Sequence, residues 1–568
     1  MAQWEEKRVD AACVDALTAA GYSPLQARLL AVRGISAATA DAFFASSLAN
    51  LASPKALPGV SEAAMAILLH VCAGSRIVVF GDYDCDGVCA TAIVMKALRA
   101  LGASAVPFIP ERLTEGYGMT AASIARLLSE VPDVKLIVTV DNGINAVKEV
   151  ADFAAKGIEV VVTDHHLPGD ELPACPIVNP KVAAPPELEG LCGAGVAFLL
   201  AKDLLETAKA EGLYEGPKIG GELLVLAGLA TVTDIMPLTG PNRLLVSEAL
   251  GRFHAWAPVG LKELYARASR TTAPKLNAKD FGFLLGPRIN ASGRMASGLE
   301  SLNLILADER EEARRLALAV DLRNTERKSI EQQMTNAAME QIEPGAPAQV
   351  INLTNAHQGV AGIVASRIME RLKSDRAVPV AIAVDGHGSA RAPEGYNVRD
   401  AFVASEAALT RYGGHAAAGG FSVKPGAFED FKRLFRAACA AQCAAGPCEA
   451  QGVDYVDAWV TGRDLTLDFA EWVQKLEPFG EGNPEPVFGI KGVYLSEALQ
   501  LGAEGRHLQV FFYSSDVPRG VWWNHGSVAE ELHRKAAHPF DVYFTIEVST
   551  YGEPHVELRL VDLKAQEI

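Results

Sequence analysis

Short β-branched runs alternate with helical stretches from Arg76 onward: RIVVF (76–80), ASAVPFI (103–109), VKLIVTV (134–140) and IEVVVT (158–163). Apolar runs of strand length separated by helix-length segments predict a parallel sheet covered by helices. Ahead of them, residues 1–73 carry short helical patterns broken by Gly21, Pro24, Gly34 and Pro54, which predicts a helical N-terminal region. The polar stretch Asp308–Ile342 has apolar residues at helical spacing and no internal Gly or Pro, so it reads as one long helix joining two lobes. A second mixed α/β region opens with VINLT (350–354) and closes on an Ala/Cys-rich helix near 430–444, with Gly446-Pro447 as a joint. From about residue 450, alternating runs HLQVFFY (507–513), GVWWN (520–524), FDVYFTIEV (540–548) and HVELRLVD (555–562) predict a small barrel or sandwich.

The 568 residues, 49% hydrophobic and 21% charged, supply several cores and exclude wholesale disorder. A net charge of −17 removes any general basic coat for indiscriminate nucleic-acid binding, so a polyanionic partner must meet a local basic groove or metal ions. Nine cysteines without a repeated spacing do not make a disulfide framework. Cys439, Cys443 and Cys448 lack a C-x-x-C pair and read as small packed residues. The opening MAQWEEKRVDAACVDAL has no basic segment followed by an apolar one, and the most apolar run, Leu223–Val232, is far short of a membrane span. The expected location is cytoplasmic, with no membrane association.

In IVVFGDYDCDGVCATAIVMKAL (77–98) a buried-type strand ends and Asp82, Asp84 and Asp86 follow at two-residue spacing before a helix. Alternate side chains of an extended segment project to one side, so three carboxylates converge and repel unless a cation neutralises them. D-x-D-x-D-G also opens a calcium loop, but the twelfth position, where that loop needs a bidentate Glu, is Ile93. The pattern recurs at later strand ends: VKLIVTV leads to Asp141 and IEVVVT to Asp164, His165 and His166, with Asp234 after a further apolar run. The carboxyl ends of parallel strands are where open α/β sheets build sites. Neighbours in an extended segment point opposite ways, so one of His165 and His166 is expected to bind an ion and the other to face substrate or support the ligands. His70, His254, His387, His533, His538 and His555 read as ordinary core or surface residues. Four or five carboxylates with one imidazole suit Mn²⁺ or Mg²⁺ better than Zn²⁺, and they exceed the needs of one ion. Two ions would bind a phosphoryl oxygen and activate water, which points to phosphodiester or phosphoanhydride hydrolysis.

GDYDCDG, TVDNGI, TDHH and TVTDIMPL resemble the four ordered motifs of the DHH phosphoesterase superfamily. HQGVAGIVASR (357–367), GSARAPEG (388–395) and RYGGHAAAGG (411–420) resemble its companion DHHA1 domain. PERLTEGYG (110–118), NPK (179–181), LCGAGVAF (191–198), NRLLV (242–246), GPRINASGRM (286–295), RNTERK (323–328) and LEPFGEGNPEPVF (476–488) narrow the likeness to the RecJ family of single-strand-specific 5′→3′ DNA exonucleases. The implied fold is α/β multidomain: a helical N-terminal region (1–73), a parallel-sheet DHH catalytic domain (74–252), a helical connector (253–345), an α/β DHHA1 domain (346–446) and a C-terminal OB-like β-barrel that binds nucleic acid (447–568).

The resemblance also implies roles. Asp84 and Asp141 would hold one metal and Asp86, Asp141, His165 and Asp234 the other, with Asp141 bridging and Asp82 beside the pair. His166 would face the attacked phosphate or the water, Asp164 would orient the histidines, and Cys85 and Cys89 would be spectators. Arg112, Ser389 and Arg391 would hold the terminal phosphate, Arg288 the backbone near the scissile bond, and His415 would approach the scissile phosphate from the second lobe. Arg suits this work because its planar fork matches phosphate.

The expected activity is therefore a two-metal, single-strand-specific exonuclease of recombination and repair, with Mn²⁺ or Mg²⁺ as cofactor. Its expected partners are single-stranded DNA, a helicase and a single-strand-binding protein, and its expected state is monomeric. A narrow cleft would reject a duplex on width, and Phe511, Phe512, Tyr513, Trp522, Trp523 and Tyr543 are stacking candidates, of which strand alternation should bury about half. One rival is an oligonucleotide or cyclic-dinucleotide phosphodiesterase, which would not need the C-terminal domain. The other is a non-catalytic binding protein that keeps the fold, which should have lost ligands; here every one is present.

Overall fold

Strands Arg76–Phe80, Val134–Val140 and Glu159–Thr163 are rich in β-branched residues and almost wholly buried, as strands covered on both faces must be. With Ala105–Phe108 and Ile177–Val178 they form a parallel sheet in the order 105–108, 76–80, 134–140, 159–163, 177–178. Register pairs Val79 with Val138 and Val138 with Val161, which brings the carboxyl ends of the three central strands level. Helices Cys85–Ala100, Gly193–Ala210 and Gly220–Thr233 pack against one another. Val78, Phe80, Ile137, Val160 and Val162 pack with Leu127 and Phe153 of two other helices. Ile93 is fully buried within Cys85–Ala100, which leaves no twelfth calcium ligand.

The computed structural model describes residues 3–45, 51, 53–216, 219–269, 276–372, 377–445, 453–502, 504–549 and 553–566. The chain divides into two units: Ala52–Met236 with Glu248–Ala450, and Met1–Leu51 with Pro237–Ser247 and Gln451–Ile568. In the first, the DHH-like sheet is followed by a π-helical turn, Asp280–Leu285, by helices Gly286–Met295 and Gly298–Leu306, and by the long helix Arg310–Met339 expected from 308–342. A mixed sheet completes it in the order 409–414, 418–423, 387–391, 380–384, 349–353, with only the last pair parallel. Cys439 lies in the core on one side of that sheet with Phe402, Phe421 and Phe435, as expected for a small packed residue; Cys448 lies outside the described residues.

The second unit centres on a seven-stranded sheet in the order 458–459, 488–493, 540–549, 555–565, 520–522, 507–512, 495–501. Here the N-terminal region departs from a purely helical reading. Gln3–Glu6 is a strand paired in parallel with Val453–Val456, and helices Ala11–Ala19 and Pro24–Val32 contribute to the sheet's core. Four residues cannot stabilise a helix, and Trp4 is fixed instead by stacking on Tyr543 (4.3 Å) and by donating to Asp562 Oδ2 (3.0 Å). Within the same unit Arg243, 8% exposed, donates to the carbonyls of Phe43, Lys475 and Leu476 and lies over the Phe43 ring at 3.8 Å. Of the stacking candidates, Phe512 and Tyr543 are buried and Trp522 stacks on His525, whereas Tyr513 and Trp523 are exposed.

Candidate metal centre and phosphate pocket

The loop after Arg76–Phe80 supplies three carboxylates, each fixed differently. Asp82 is buried, and its Oδ1 has no hydrogen-bond partner. Asp84 is the N-cap of Cys85–Ala100 and accepts from Gly87 N (3.0 Å). Asp86 is buried in the first turn and accepts from Gly193 N and Ala194 N, both at 2.7 Å, where the helix Gly193–Ala210 begins. The free N–H groups and positive end of that helix suit a carboxylate. Asn290, from the segment GPRINASGRM, accepts from Cys85 N (2.8 Å) and so ties this loop to the connector.

Asp141 follows Val134–Val140 in left-handed backbone, φ 62°, an uncommon conformation for a residue with a Cβ and one that concentrates at functional sites. Its Oδ1 lacks a hydrogen bond and lies 3.2 Å from His165 Nε2. Gly193 makes this fit possible, because a Cβ there would stand 2.7 Å from the same oxygen. Asp234 caps the helix Gly220–Thr233, so this fifth acid of the cluster comes from the end of a helix, whereas the other four follow strands.

Asp164 Oδ1 accepts from His165 N (2.7 Å), His166 N (3.1 Å) and His166 Nδ1 (2.8 Å), and its Oδ2 accepts from Ile144 N (3.0 Å). Its carboxyl therefore stays below the usual range: burial opposes ionisation, and the bonds to His166 and the backbone overcome it. The two histidines do not point opposite ways. Their rings are 4.5 Å apart and both face Asp141, because the backbone has left the strand at Thr163. What separates them is Asp164, which occupies Nδ1 of His166 and leaves Nε2 of His165 to the acids. Burial and then His166 push His165 down to about 3, so it is a neutral imidazole; His166 is held above its ordinary value by Asp164 against the opposing effect of burial.

The acids are brought into three overlapping sets whose ligand atoms all lie within 4.8 Å of one another: Asp82, Asp84 and Asp141; Asp86, His165 and Asp234; Asp141, His165 and His166. Burial and then mutual repulsion raise Asp82 and Asp141 well above the carboxylate range, Asp86 to about 6 and Asp234 to about 8. Such a cluster is unstable as five anions and fits divalent cations. The donors are hard oxygens with a neutral imidazole, and two carboxylate oxygens are unpartnered, which suits Mn²⁺ or Mg²⁺. Cys85 and Cys89 are buried and enter none of these sets.

Arg112 lies over the Tyr83 ring at 5.1 Å. Arg391 donates to Ser389 Oγ (2.8 Å) and sits beside the N-terminus of Ala361–Leu372, where a Cβ on Gly362 would meet its Nη2 at 2.7 Å. Burial and then the charge of Arg112 lower the Arg391 guanidinium from its ordinary value, and Ser389 is tied to Arg391 by the hydrogen bond above. Arg288 is engaged elsewhere, donating to Asp321 Oδ1 (2.8 Å) and Leu284 O. His415 is exposed at the turn of the hairpin 409–423, its N donating to Ala418 O. Among the described residues, neither Arg288 nor His415 is bonded to the acids.

Several residues at the site carried no visible signal of their own. Tyr117 Oη donates to Asp141 O (2.9 Å) and lies 3.3 Å from His166 Nδ1. Asn179 Nδ2 donates to His166 O (3.0 Å), and its Oδ1 accepts from Lys181 N. They lie in PERLTEGYG and NPK, segments notable in the sequence only as motifs.

The model of the DHH family N-terminal domain matches residues 76–229, that of the DHHA1 domain 345–441 and that of the RecJ OB domain 456–562. The sheet, its acid-bearing edge and these domains define a DHH protein with a DHHA1 companion and an OB domain. Single-stranded-DNA-specific exonuclease RecJ of Thermus thermophilus is 39% identical over 474 residues, covering 83% of this chain and 67% of that protein. The RecJ of Escherichia coli is 36% identical over 510 residues, covering 86% of each. A crystal structure of Thermus thermophilus RecJ in complex with Mn²⁺ matches with a TM-score of 0.83 at 32% identity, covering 100% of this chain and 80% of that one, and its Mg²⁺ complex with a TM-score of 0.77. The chain belongs to the RecJ family.

Proposed function

We propose that this chain is a single-stranded-DNA-specific exonuclease that hydrolyses phosphodiester bonds from the 5′ end, in DNA recombination and repair. The observation that carries the reading is the convergence of Asp82, Asp84, Asp86, Asp141, His165 and Asp234 beside the Arg112, Ser389 and Arg391 cluster. Asp84 and Asp141 would hold one ion and Asp86, Asp141, His165 and Asp234 a second. When bound, the two ions supply charge to a phosphoryl oxygen and lower the pKa of the attacking water. Asp86 is kept in place by Gly193 N and Ala194 N, and Tyr117 Oη fixes the backbone of Asp141. An ionised Asp164 can only accept, so His166 carries its proton on Nδ1 and offers Nε2 to the phosphate or the water. Arg112, Ser389 and Arg391 would hold the terminal phosphate, Arg288 the backbone and His415 the far side of the scissile phosphate.

Domain assignments follow the same reading: a DHH domain over 74–252, a connector over 253–345, DHHA1 over 346–446 and the OB-like domain over 447–568, after the N-terminal region 1–73. Delivery of the strand by a helicase and a single-strand-binding protein, a monomeric state and a cytoplasmic location complete it. Among the described residues no helix is long and apolar enough to cross a membrane.

End-labelled DNA single strands of both polarities, a duplex and a dinucleotide, each with and without Mn²⁺, test the proposal. Release of 5′-mononucleotides from the single strand only with metal is expected. Preference for the dinucleotide, or persistence of the activity in Asp141→Ala, would overturn it.

A further inference from the structure

The mixed sheet of the larger unit has two unlike faces, and its register shows which residues share each. Arg411 pairs with Ser422 and Ser422 with His387, while Gly413 pairs with Gly420 and Gly420 with Ser389. Residues paired directly across strands lie on one face, so Arg411, Gly413, Gly420 and Ser389 share it, with Arg391 two residues beyond Ser389. The opposite face turns Ala390, Tyr412 and Phe421 toward the core. On the first face, Val364 and Ile368 of the helix Ala361–Leu372 pack with Val380 and Ile382. Farther across, Gly413 and Gly420 are exposed, and a Cβ added to either would meet nothing closer than 3.8 Å. The sheet therefore presents a lane of bare backbone between Ser389 and Arg411.

Arg411 closes the far side of that lane against the loop 110–118. A Cβ on Gly116 would stand 4.0 Å from both Nη1 and Nη2 of Arg411, and the next residue is Tyr117, whose Oη reaches Asp141 O and His166. Among the described residues Arg411 makes no hydrogen bond and no ion pair. The acids of the facing loop are occupied: Glu115 holds Arg126 through both oxygens (2.6 and 2.9 Å), and Glu111 Oε2 accepts from Thr114 Oγ1 (2.9 Å). In a chain of net charge −17, an exposed arginine left without a carboxylate at the edge of an open backbone floor is a place for an anion from outside. Arg411 stands two strands across and two residues along from Ser389, ~12 Å by ordinary strand spacing and rise, a separation that serves a different phosphate from the terminal one.

We infer that Arg411 is a substrate-binding residue that holds an internucleotide phosphate on the 3′ side of the scissile bond and so draws the remaining strand across Gly413 and Gly420. The inference rests on the exonuclease reading above.

A methylphosphonate removes the charge of one linkage, so single strands carrying it at successive positions past the scissile bond test the contact, with kcat/KM measured in Mn²⁺ for the wild type and for Arg411→Gln. One such linkage should slow the wild type about tenfold, the scale of one lost charge-assisted hydrogen bond. Arg411→Gln should show the same tenfold loss on the unmodified strand, through KM, and no further loss on that modified one. Its log–log dependence of kcat/KM on salt should be shallower by about 0.7, the share of one phosphate on a single strand. Arg411→Lys keeps the charge and should restore the slope. Additive losses in wild type and variant at every position overturn the inference, and so does an unchanged salt slope. A scan in which no linkage past the scissile one matters to the wild type overturns it without any variant, even if Arg411→Gln does not fold. Binding of a labelled strand to the metal-free protein separates the contact from the activity. An Arg411-dependent salt slope of binding in a protein that does not cut the strand refutes the exonuclease reading and keeps the contact, whereas cutting with an Arg411-independent slope refutes only the contact.

Discussion

Gly193 has no side chain, and the site depends on that. Its N–H binds Asp86 while its Cα faces Asp141, where a methyl group would stand 2.7 Å from Oδ1. Gly193→Ala should therefore weaken Mn²⁺ binding about 10–100-fold, as lost support of metal ligands does, without unfolding the chain. Titration calorimetry beside thermal melting checks this. The raised carboxylates give a second expectation. A group whose folded pKa exceeds its unfolded value near 3.9 contributes stability at low pH that is lost as pH rises through the folded value, about 6 for Asp86 and about 8 for Asp234. The metal-free protein should lose Tm from about pH 4, the unfolded value, up to about pH 8, above which both groups are ionised in either state. Metal ions bind the ionised forms, so the Tm gained on adding Mn²⁺ should grow over the same window. A gain that is constant or shrinks with pH would contradict the assignment. The acids were legible in the sequence because three lie within five residues, Asp141 and Asp164 follow strand ends, and Asp234 closes an apolar run. Tyr117, Asn179 and Asn290 were not, because each acts on a partner distant in the chain, Asn290 on Cys85 205 residues away. Residue type alone does not report such a bond.

At the level of elements, the parallel strands and the long helix were readable because burial on both faces and helical spacing are local patterns. The short strand Gln3–Glu6 was not, since it is held by partners distant in the chain: Val453–Val456, the Trp4–Tyr543 stack and the Trp4–Asp562 bond. Trp4→Ala should lower the stability of its unit by about 2–4 kcal/mol, combining the lost aromatic pair with lost burial. Urea unfolding followed by fluorescence or hydrogen exchange within 453–566 measures it. Along helix Arg310–Met339, buried Arg327 donates to Asn324 Oδ1 and to Glu331 Oε2 (2.7 Å), and Glu331 also meets Arg367. Glu331→Ala leaves that buried cation unpaired and should cost about 3–5 kcal/mol, most of which Arg327→Met in the same chain should recover.

For the whole molecule, the order of segments along the chain does not match their grouping in space. Residues 1–51 and 237–247 join 451–568, so a linear division into consecutive blocks misses the assembly of the smaller unit. Periodicity describes stretches of ten or twenty residues and carries no information on which distant segments share a core. A chain ended at residue 450 would leave Arg243 without the Lys475 and Leu476 carbonyls and Trp4 without Tyr543, and should aggregate or lose the order of helices 11–44 by hydrogen exchange. The pairing of Gln3–Glu6 with Val453–Val456 also has a consequence for synthesis. The first strand leaves the ribosome roughly 450 residues before its neighbour exists. At ~5–20 residues per second that is a wait of about 20–90 s, during which the opening helices have no sheet to cover and must be kept from other nascent chains.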